Sequence, residues 1–198
     1  MSAITKPRKL TPIEYLAIEE KAEFKSEFFN GEMFAMSGAS PWHCVVKDNL
    51  VLEIGNQLRG GPCFTMSSDM RLNVHPSGLY TYPDLLIVCG PMKFDPLNAN
   101  TIMNPTIVVE VLSPSTMHYD RGAKLRKYQK LDSVKEIVLV SQDLPLVEVY
   151  ARQPNGQWVY LTFDDVEGSF TLDSVQVSVP LVDIYRNVEF PTDPSTPS

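Results

Sequence analysis

The sequence predicts an α/β (α+β) fold, with a mixed central sheet flanked by helices and a β-rich C-terminal third. Two apolar runs rich in branched residues, 82–88 and 107–112, have the length of buried strands. Helix-start signals precede the segments 12–28 and 41–58. After residue 134, short apolar stretches alternate with turn residues, which is typical of hairpins.

The composition is that of one soluble globular domain. The chain has 198 residues, 43% of them hydrophobic, and we expect a single domain at 1–190 and a disordered tail at 191–198. No apolar run approaches the roughly 20 residues of a membrane span, and we expect no signal peptide. Cys44, Cys63 and Cys89 are scattered, so we expect reduced thiols in a cytoplasmic protein.

Capping and turn residues define the first elements. The sequence T-P-I-E at 11–14 is a capping box and predicts a helix that runs to about residue 28. Asn30-Gly31 then turns the chain into a strand at 32–36. Glu27 would lie at the end of the helix, where a carboxylate opposes the helix dipole. It is a candidate site residue or, alternatively, a surface glutamate.

The next helix, at 41–58, is predicted by a mostly buried apolar pattern. His43 lies in its first turn and is a candidate to line a site, although a lone histidine is more often structural. Residues 63–67 and 70–74 should form one strand, or two short strands around Asp69, which either faces a metal site or serves a bulge or turn.

The second half of the chain is predicted to be mostly strands. The polar segment 90–104 should be an exposed loop between the two central strands, and a candidate substrate or dimer contact. After the cap residues at 113–116, we expect a helix at 120–128. Shorter elements are predicted at 134–141, 144–151, 157–163, 169–172, 175–179 and 184–188.

Two carboxylates interrupt the apolar strands. Asp84 lies near the start of its run, and Glu110 lies in the middle of the other. A lone ionised carboxylate in a dry sheet is unfavourable, so such groups are paired, hydrogen-bonded or bound to metal. Two of them on neighbouring strands would repel each other unless a cation lay between them. A divalent-metal site is therefore predicted; a hydrogen-bonded turn at Asp84 and a buried ion pair at Glu110 are the alternatives.

A lysine is predicted to join the two acids. Asp120, Lys124 and Tyr128 are spaced i, i+4, i+8 and would share one helix face. Two acids that hold Mg²⁺ or Mn²⁺, with a lysine that orients the attacking water, are the requirements of a metal-dependent phosphodiesterase. The alternative for Lys124 is an ordinary i, i+4 pair with Asp120.

These motifs resemble the PD-(D/E)xK nuclease superfamily and, within it, a largely uncharacterised branch abundant in cyanobacteria. The usual signature places lysine two residues after the acid, where this chain has Leu112; in the resembled branch the lysine lies on the following helix, which selects Lys124. The matching pieces are S-E-F-F-N-G-E (26–32), S-D-M-R (68–71), Y-P-D (82–84), V-V-E-V-L-S-P-S (108–115) and D-x-x-x-K-x-x-x-Y (120–128).

The resemblance implies a restriction-endonuclease-like fold and a Mg²⁺- or Mn²⁺-dependent DNA endonuclease that works as a homodimer. The expected site has Asp84 and Glu110 as metal ligands, Glu27 as a third acid, Lys124 as the residue that orients water, and Arg121, Tyr128 and His43 for positioning the substrate.

Charge is uneven along the chain. The formal net charge is −7, yet residues 1–142 hold 15 basic and 15 acidic residues, whereas residues 143–198 hold 2 and 9. Phosphate binding normally needs a basic surface. The helix after Glu110 could supply one beside the site, or it could simply be a solvated surface. Its basic residues are Arg121, Lys124, Arg126, Lys127 and Lys130.

Two other functions remain open because a fold does not determine an activity. A catalytically inactive module could keep the nuclease fold and bind nucleic acid or a protein partner, and the acidic composition favours it. A metal-dependent hydrolase could act on RNA instead of DNA.

Overall fold

The computed structural model describes residues 8–190, so the tail predicted at 191–198 lies outside the described residues. The division of the chain into one domain and a tail stays a prediction. A π-helical turn at Asp120–Lys124 joins two of the short helices. The helices are α1 (Pro12–Glu19), α2 (Pro41–Leu58), α3 (Met117–Tyr119), α4 (Leu125–Tyr128) and α5 (Leu181–Ile184).

More of the described residues are in strands than in helices. They are β1 (Ser26–Phe29), β2 (Glu32–Ala35), β3 (Cys63–Ser67), β4 (Arg71–Val74), β5 (Leu79–Thr81), β6 (Leu85–Cys89), β7 (Phe94–Asp95), β8 (Asn98–Ile102), β9 (Ile107–Leu112), β10 (Glu136–Ser141), β11 (Val147–Arg152), β12 (Trp158–Phe163), β13 (Ser169–Leu172) and β14 (Val177–Pro180).

The strands form two mixed six-stranded sheets and one hairpin. The first sheet has the order β2-β1-β5-β4-β8-β7, the second has the order β12-β11-β10-β9-β6-β3, and β13 pairs with β14. β9 and β10 run parallel, as do β4 and β8, and the other neighbours are antiparallel. The α+β class predicted from the sequence is confirmed, with two large sheets in place of one.

The central strands of the second sheet, β6, β9 and β10, are buried on both faces, and this determines where Glu110 points. Val109 and Val111 face the core that α2 and the β13–β14 hairpin complete. Val108 and Leu112 face a second core, which contains Tyr128 of α4. Because side chains alternate along a strand, Glu110 shares the face of Val108 and Leu112, toward α4.

The helix predicted at 11–28 is shorter than expected. The capping box at Thr11 is present and α1 begins at Pro12, but it ends at Glu19. Asn30 and Gly31 both have positive φ, at 54° and 85°. This two-residue turn of the mirror-image type joins antiparallel strands, so the residues before it must be a strand. Glu27 therefore lies in β1, and the helix-dipole argument for it was wrong.

The segment 90–104 is not a plain exposed loop. It forms the β7–β8 pair, and β8 aligns with β4 so that Thr101 and Ile102 are buried. The polar composition of the segment does not indicate these strands, because β8 is selected by a long-range pairing partner and not by local periodicity.

The expectation of three free thiols was also wrong. Cys63 and Cys89 lie directly opposite each other on β3 and β6 and form a disulfide, while Cys44 is free. Strand pairing brings together two cysteines that are far apart in sequence. Across residues 8–190, no helix is both long and apolar enough to cross a membrane.

Candidate functional site

A cleft of about 700 Å³ opens beside β1, the start of β6 and the middle of β9. Five of the seven residues predicted for the site line this cleft: Glu27, His43, Asp84, Glu110 and Lys124. Arg121 and Tyr128 do not line it.

Asp84 and Glu110 lie side by side on neighbouring strands. Leu85 pairs with Val109, so Asp84 lies opposite Glu110 just beyond the last pair of the β6–β9 ladder. The Val111 N–H donates to Asp84 Oδ2 at 2.8 Å. The contacts that Glu110 makes with described residues use Oε1. Asp84 Oδ1 and Glu110 Oε2 thus have no hydrogen-bond partner within residues 8–190 and can accept a ligand in the cleft.

Lys124 is held by three carboxylates. Its Nζ lies 2.8 Å from Glu110 Oε1, 3.0 Å from Glu27 Oε1 and 3.5 Å from Asp120 Oδ1. Burial by itself would lower the pKa of Lys124, but these carboxylates outweigh it and raise the pKa well above its usual range. Lys124 is therefore an ammonium ion, fixed in position at the cleft.

The π-helical turn gives Lys124 and Asp120 their shared direction. In this turn the Leu125 N–H donates to the Asp120 carbonyl, one residue further back than in an α-helix. Both side chains are about 95% buried. Such wide turns occur often at functional sites, and this one was not predicted from the i, i+4 spacing.

Glu27 enters the cluster from the first sheet. The Thr81 hydroxyl at the end of β5 donates to its Oε1, which also contacts Lys124. Burial raises the pKa of Glu27, but the charge of Lys124 and the Thr81 hydrogen bond outweigh burial, so the pKa lies below its ordinary value. Glu27 is therefore a carboxylate at neutral pH.

Glu110 has the opposite shift. Burial raises its pKa, the Lys124 ammonium opposes this, and the charges of Asp120 and Asp84 raise it further. Among residues 8–190, Lys124 is the one ammonium beside four carboxyl groups, those of Glu27, Asp120 and Glu110 around it and that of Asp84 next to Glu110. Full ionisation of these groups with a neutral His43 therefore leaves three negative charges unbalanced. A proton on Glu110 or an added cation relieves that excess.

His43 contacts the outer acid of this cluster. Ser40 caps α2 and accepts the His43 N–H, which puts the imidazole in the first helical turn. Its Nε2 lies 3.2 Å from Asp84 Oδ2, and its Nδ1 is buried with no hydrogen-bond partner in the described chain. Burial lowers the pKa of His43, but Asp84 outweighs this and raises the pKa. The geometry suits a residue that orients Asp84.

Tyr128 and Arg121 are placed differently from the other predicted site residues. Tyr128 is buried and its hydroxyl donates to Glu110 Oε1, so it orients the acid and does not face the cleft. Arg121 forms an ion pair with Glu148 of β11 at 2.6 Å. A substrate-positioning role for Arg121 stays a prediction that this placement does not favour.

The basic helix does not form a continuous positive face. Lys124 is inside the carboxylate cluster, Arg121 is paired, and Lys127 is buried with its Nζ 3.6 Å from the centre of the Phe29 ring. Arg126 and Lys130 are the exposed members. Asp69, the other acid considered, is 87% exposed at its side chain and does not line the cleft, although its partner Lys25 does.

Sequence reasoning missed three residues of the site. Asp120 was assigned only a pairing role, although its spacing from Lys124 was the available signal. Tyr119, which lines the cleft, and Thr81, which holds Glu27, gave no signal because their positions depend on the contact between β5, β1 and the helical turn.

The described residues contain no group of three His, Cys, Asp or Glu side chains arranged to hold a metal ion. The donors that fit one are the free oxygens of Asp84 and Glu110. Mg²⁺ in phosphate-processing enzymes is bound through one or two carboxylates, with waters and substrate phosphates completing its octahedral shell. The two carboxylates therefore fit Mg²⁺, with the remaining ligands to come from water and substrate.

Comparisons with known proteins show the family of the chain. Residues 12–181 match the family Uma2, described as "Putative restriction endonuclease". "Uncharacterized protein slr1290" of Synechocystis sp. is 36% identical over 182 residues, which cover 92% of this chain and 94% of that protein. "Uncharacterized protein sll1609" of the same organism is 35% identical over 163 residues, 80% of this chain and 90% of that protein.

The fold is also similar to that of a solved structure. That structure is described as a "putative nuclease belonging to DUF820" from Anabaena variabilis, with a TM-score of 0.73 and 18% sequence identity. The match covers 90% of this chain and 98% of the other. At this identity the likeness shows the fold alone, and it confirms the fold expected from the motifs.

Proposed function

The chain belongs to the Uma2 family of the restriction-endonuclease-like superfamily, and from this premise we propose that it is a divalent-metal-dependent endonuclease that hydrolyses phosphodiester bonds in DNA. The observation that carries the proposal is the excess of carboxylates over cations in the cleft. Asp84 and Glu110 each keep one oxygen free there, and a fixed ammonium lies 2.8 Å from Glu110.

Asp84 and Glu110 would hold Mg²⁺ or Mn²⁺, since both ions suit carboxylate ligands. When bound, the ion polarises a phosphoryl oxygen and lowers the pKa of a coordinated water. Val111 and His43 hold Asp84 in position, and Tyr128 holds Glu110. These contacts fix both carboxylates before a ligand arrives, which lowers the reorganisation needed for the reaction.

Lys124 is the residue proposed to orient the attacking water or to stabilise negative charge on the phosphate. Glu27 and Asp120 hold its ammonium from two sides, so its direction is set by packing and not by a flexible stem. Asp120 thereby joins the proposed site as a positioning residue. Glu27 remains a carboxylate and is the proposed third acid of the site.

The test combines metal titration with cleavage. Calorimetric titration of Mg²⁺ and Mn²⁺ should show binding to the wild type and its loss in Glu110→Gln. Cleavage of supercoiled plasmid and of single-stranded circular DNA should fall at least about 100-fold in that variant, since a metal contributes several kcal/mol to the transition state. Glu136→Gln, a buried glutamate on the next strand, is the matched control and should keep both properties.

Unchanged cleavage by the variant would contradict the assignment of Glu110. If Glu110→Gln cleaves DNA as fast as the wild type, Glu110 is not a ligand and the assignment is wrong. Matched RNA and DNA oligonucleotides in the same assay decide which nucleic acid is the substrate.

A second function is favoured by a different observation. Three carboxylates already neutralise Lys124, which is what a purely structural ion pair would look like. If the protein is instead a nuclease-fold module that binds nucleic acid or a protein partner without turnover, the wild type and Lys124→Met should bind DNA equally well. Such a module would show no metal-dependent cleavage with either DNA.

The homodimer that we propose is supported by the edge strand β12. This strand ends the second sheet, contains no charged residue, and leaves Val159, Tyr160 and Leu161 at 40%, 51% and 45% exposure. Natural edge strands usually carry charges or bulges that prevent pairing with another chain. Light scattering should give twice 22.2 kDa for the wild type and for the control Val182→Lys, and the monomer mass for Leu161→Lys.

A cytoplasmic location is part of the same proposal, because the substrate is DNA. The Cys63–Cys89 disulfide is the observation against it, since reducing compartments disfavour such bonds. Free thiols trapped by alkylation at the moment of cell lysis test the location. Only Cys44 should react if the disulfide exists in the cell, whereas reaction of all three cysteines would support a reducing compartment.

A further inference from the structure

The mouth of the cleft carries exposed aromatic rings. Phe24, Phe34 and Tyr119 are 76%, 49% and 37% exposed, and all three line the cleft that contains the carboxylates. Apolar rings grouped on a protein surface commonly mark a binding site. The rings therefore require an explanation beyond the metal-binding residues.

The position of Phe34 ties these rings to the site. Phe34 lies in β2 directly opposite Glu27 in β1, and directly opposed residues point to the same side of a sheet. Phe24 lies in the bend just before β1, and Tyr119 immediately precedes Asp120. The rings thus border the residues that hold Lys124, on three different elements.

The cleft has few cations available for phosphate. It is lined by five carboxylate residues and three lysines. Lys124 is held by the cluster, Lys25 pairs with Asp69 and donates to the Ser68 carbonyl, and Lys47 lies 3.6 Å from Asp48. Proteins that bind duplex DNA gain most of their affinity from Lys and Arg contacts to phosphates. This cleft is poorly equipped for that mode of binding.

We propose that single-stranded DNA enters this cleft. Its bases stack on Phe24 and Phe34, and its phosphate lies where Asp84 and Glu110 would hold the metal. The proposal rests on the proposed nuclease function and specifies its substrate. Base faces are covered by their neighbours in a duplex, and exposing one requires unstacking. Unpaired bases are free to stack on aromatic side chains, and this contact tolerates any sequence because every base has a flat face.

The test measures stacking and affinity together. An oligodeoxynucleotide containing 2-aminopurine, whose fluorescence is quenched by stacking, is titrated with protein as a single strand and as a duplex, with Ca²⁺ in place of Mg²⁺ to prevent cleavage. The wild type should quench and bind the single strand at least about tenfold more tightly than the duplex. The double variant Phe24→Ala/Phe34→Ala should lose about tenfold or more of that affinity, as expected for one or two stacked bases.

Phe94→Ala is the matched control because Phe94 is 40% exposed but lies on β7, outside the cleft lining. It should behave as the wild type. Phe24→Ala/Phe34→Trp should quench more strongly than Phe24→Ala/Phe34→Ala, which a merely structural role for Phe34 would not predict.

The outcomes separate this inference from the nuclease proposal. Equal or tighter duplex binding, or unchanged affinity in the double variant, overturns the single-strand inference even if cleavage depends on Glu110. Quenching and binding that depend on the two rings, without cleavage of any DNA, support the inference and overturn the nuclease proposal. Absence of any binding by the wild type overturns both.

Discussion

Glu110 and Glu136 are two buried glutamates on neighbouring strands of one sheet, and their surroundings differ in every respect that matters for function. Glu136 is 3% exposed and accepts the N–H groups of Asp173 and Ser174 at 3.0 and 3.2 Å, together with the Ser174 hydroxyl. Neutral donors thus satisfy it on both oxygens. Glu110 is equally buried, but it meets an ammonium and other carboxylates, and one of its oxygens faces a cleft.

The comparison shows that a buried charge does not by itself indicate a site. Burial raises the pKa of both glutamates. The difference lies in what opposes the shift: hydrogen bonds from a hairpin turn at Glu136, and an ammonium shared among competing carboxylates at Glu110. Only the second arrangement leaves negative charge that an incoming cation can neutralise. Substitutions of Lys124, Glu136 and Glu110 test this distinction.

Lys124→Met should have the largest effect. It leaves Glu27, Glu110 and Asp120 without their cation, and removal of one partner from a buried ion pair costs about 3–5 kcal/mol. Chemical denaturation should show that loss in the free energy of unfolding, and cleavage should disappear. Mg²⁺ should restore part of the stability because it would neutralise the same carboxylates. An unchanged denaturation midpoint would mean that the lysine does not hold the cluster together.

Glu136→Gln should reduce stability without reducing activity. The substitution keeps the shape but removes the charge that strengthens hydrogen bonds to the β13–β14 turn, a loss of about 1.5–3 kcal/mol. Glu110→Gln should do the reverse, because Lys124 keeps Glu27 and Asp120 as partners. Thermal unfolding and cleavage rates measured on both variants give the comparison directly. Loss of cleavage in the folded Glu136→Gln protein would remove the distinction between the two glutamates.

Metal affinity and stability should both depend on pH. Burial, opposed by Lys124 and reinforced by Asp120 and Asp84, raises the pKa of Glu110 to about 8. A proton on this group competes with the metal, so Mg²⁺ affinity should rise by up to about tenfold per pH unit between pH 6.5 and 8 and then level off. In the metal-free protein the raised pKa makes folding less favourable as pH rises from 4.5, the ordinary pKa of the carboxyl group, to about 8. Calorimetry across this range checks the first effect, and a flat profile would contradict it.

The sequence gives a good account of the central strands and their acids. Branched apolar runs identified β6 and β9, and a carboxylate in each was recognisable because such positions are normally apolar. The start of α1, all of α2 and most C-terminal strands also followed from local caps, turns and periodicity. The family resemblance, and not the spacing, selected Lys124 over Leu112.

The errors concern contacts between distant segments. The Asn30-Gly31 turn was recognised, yet the residues before it were assigned to a helix, so Glu27 was placed in the wrong element. The pairing of β8 with β4 and of Cys63 with Cys89 could not be read from local composition. Arg121 looked like a phosphate ligand until its partner Glu148 was seen on β11.

Sequence alone determined most of the strands and helices here, because hydrophobic period, caps and turn residues act over a few neighbouring positions. It also marked Asp84 and Glu110 as chemically unusual. The tertiary structure decided which groups meet: Glu27 from one sheet, Asp84 and Glu110 from the other, and Asp120 with Lys124 from a π-helical turn. Which groups meet depends on strand register and on the direction of each side chain across the fold. Charges separated by nearly 100 residues in the sequence interact only after the fold has brought them close together.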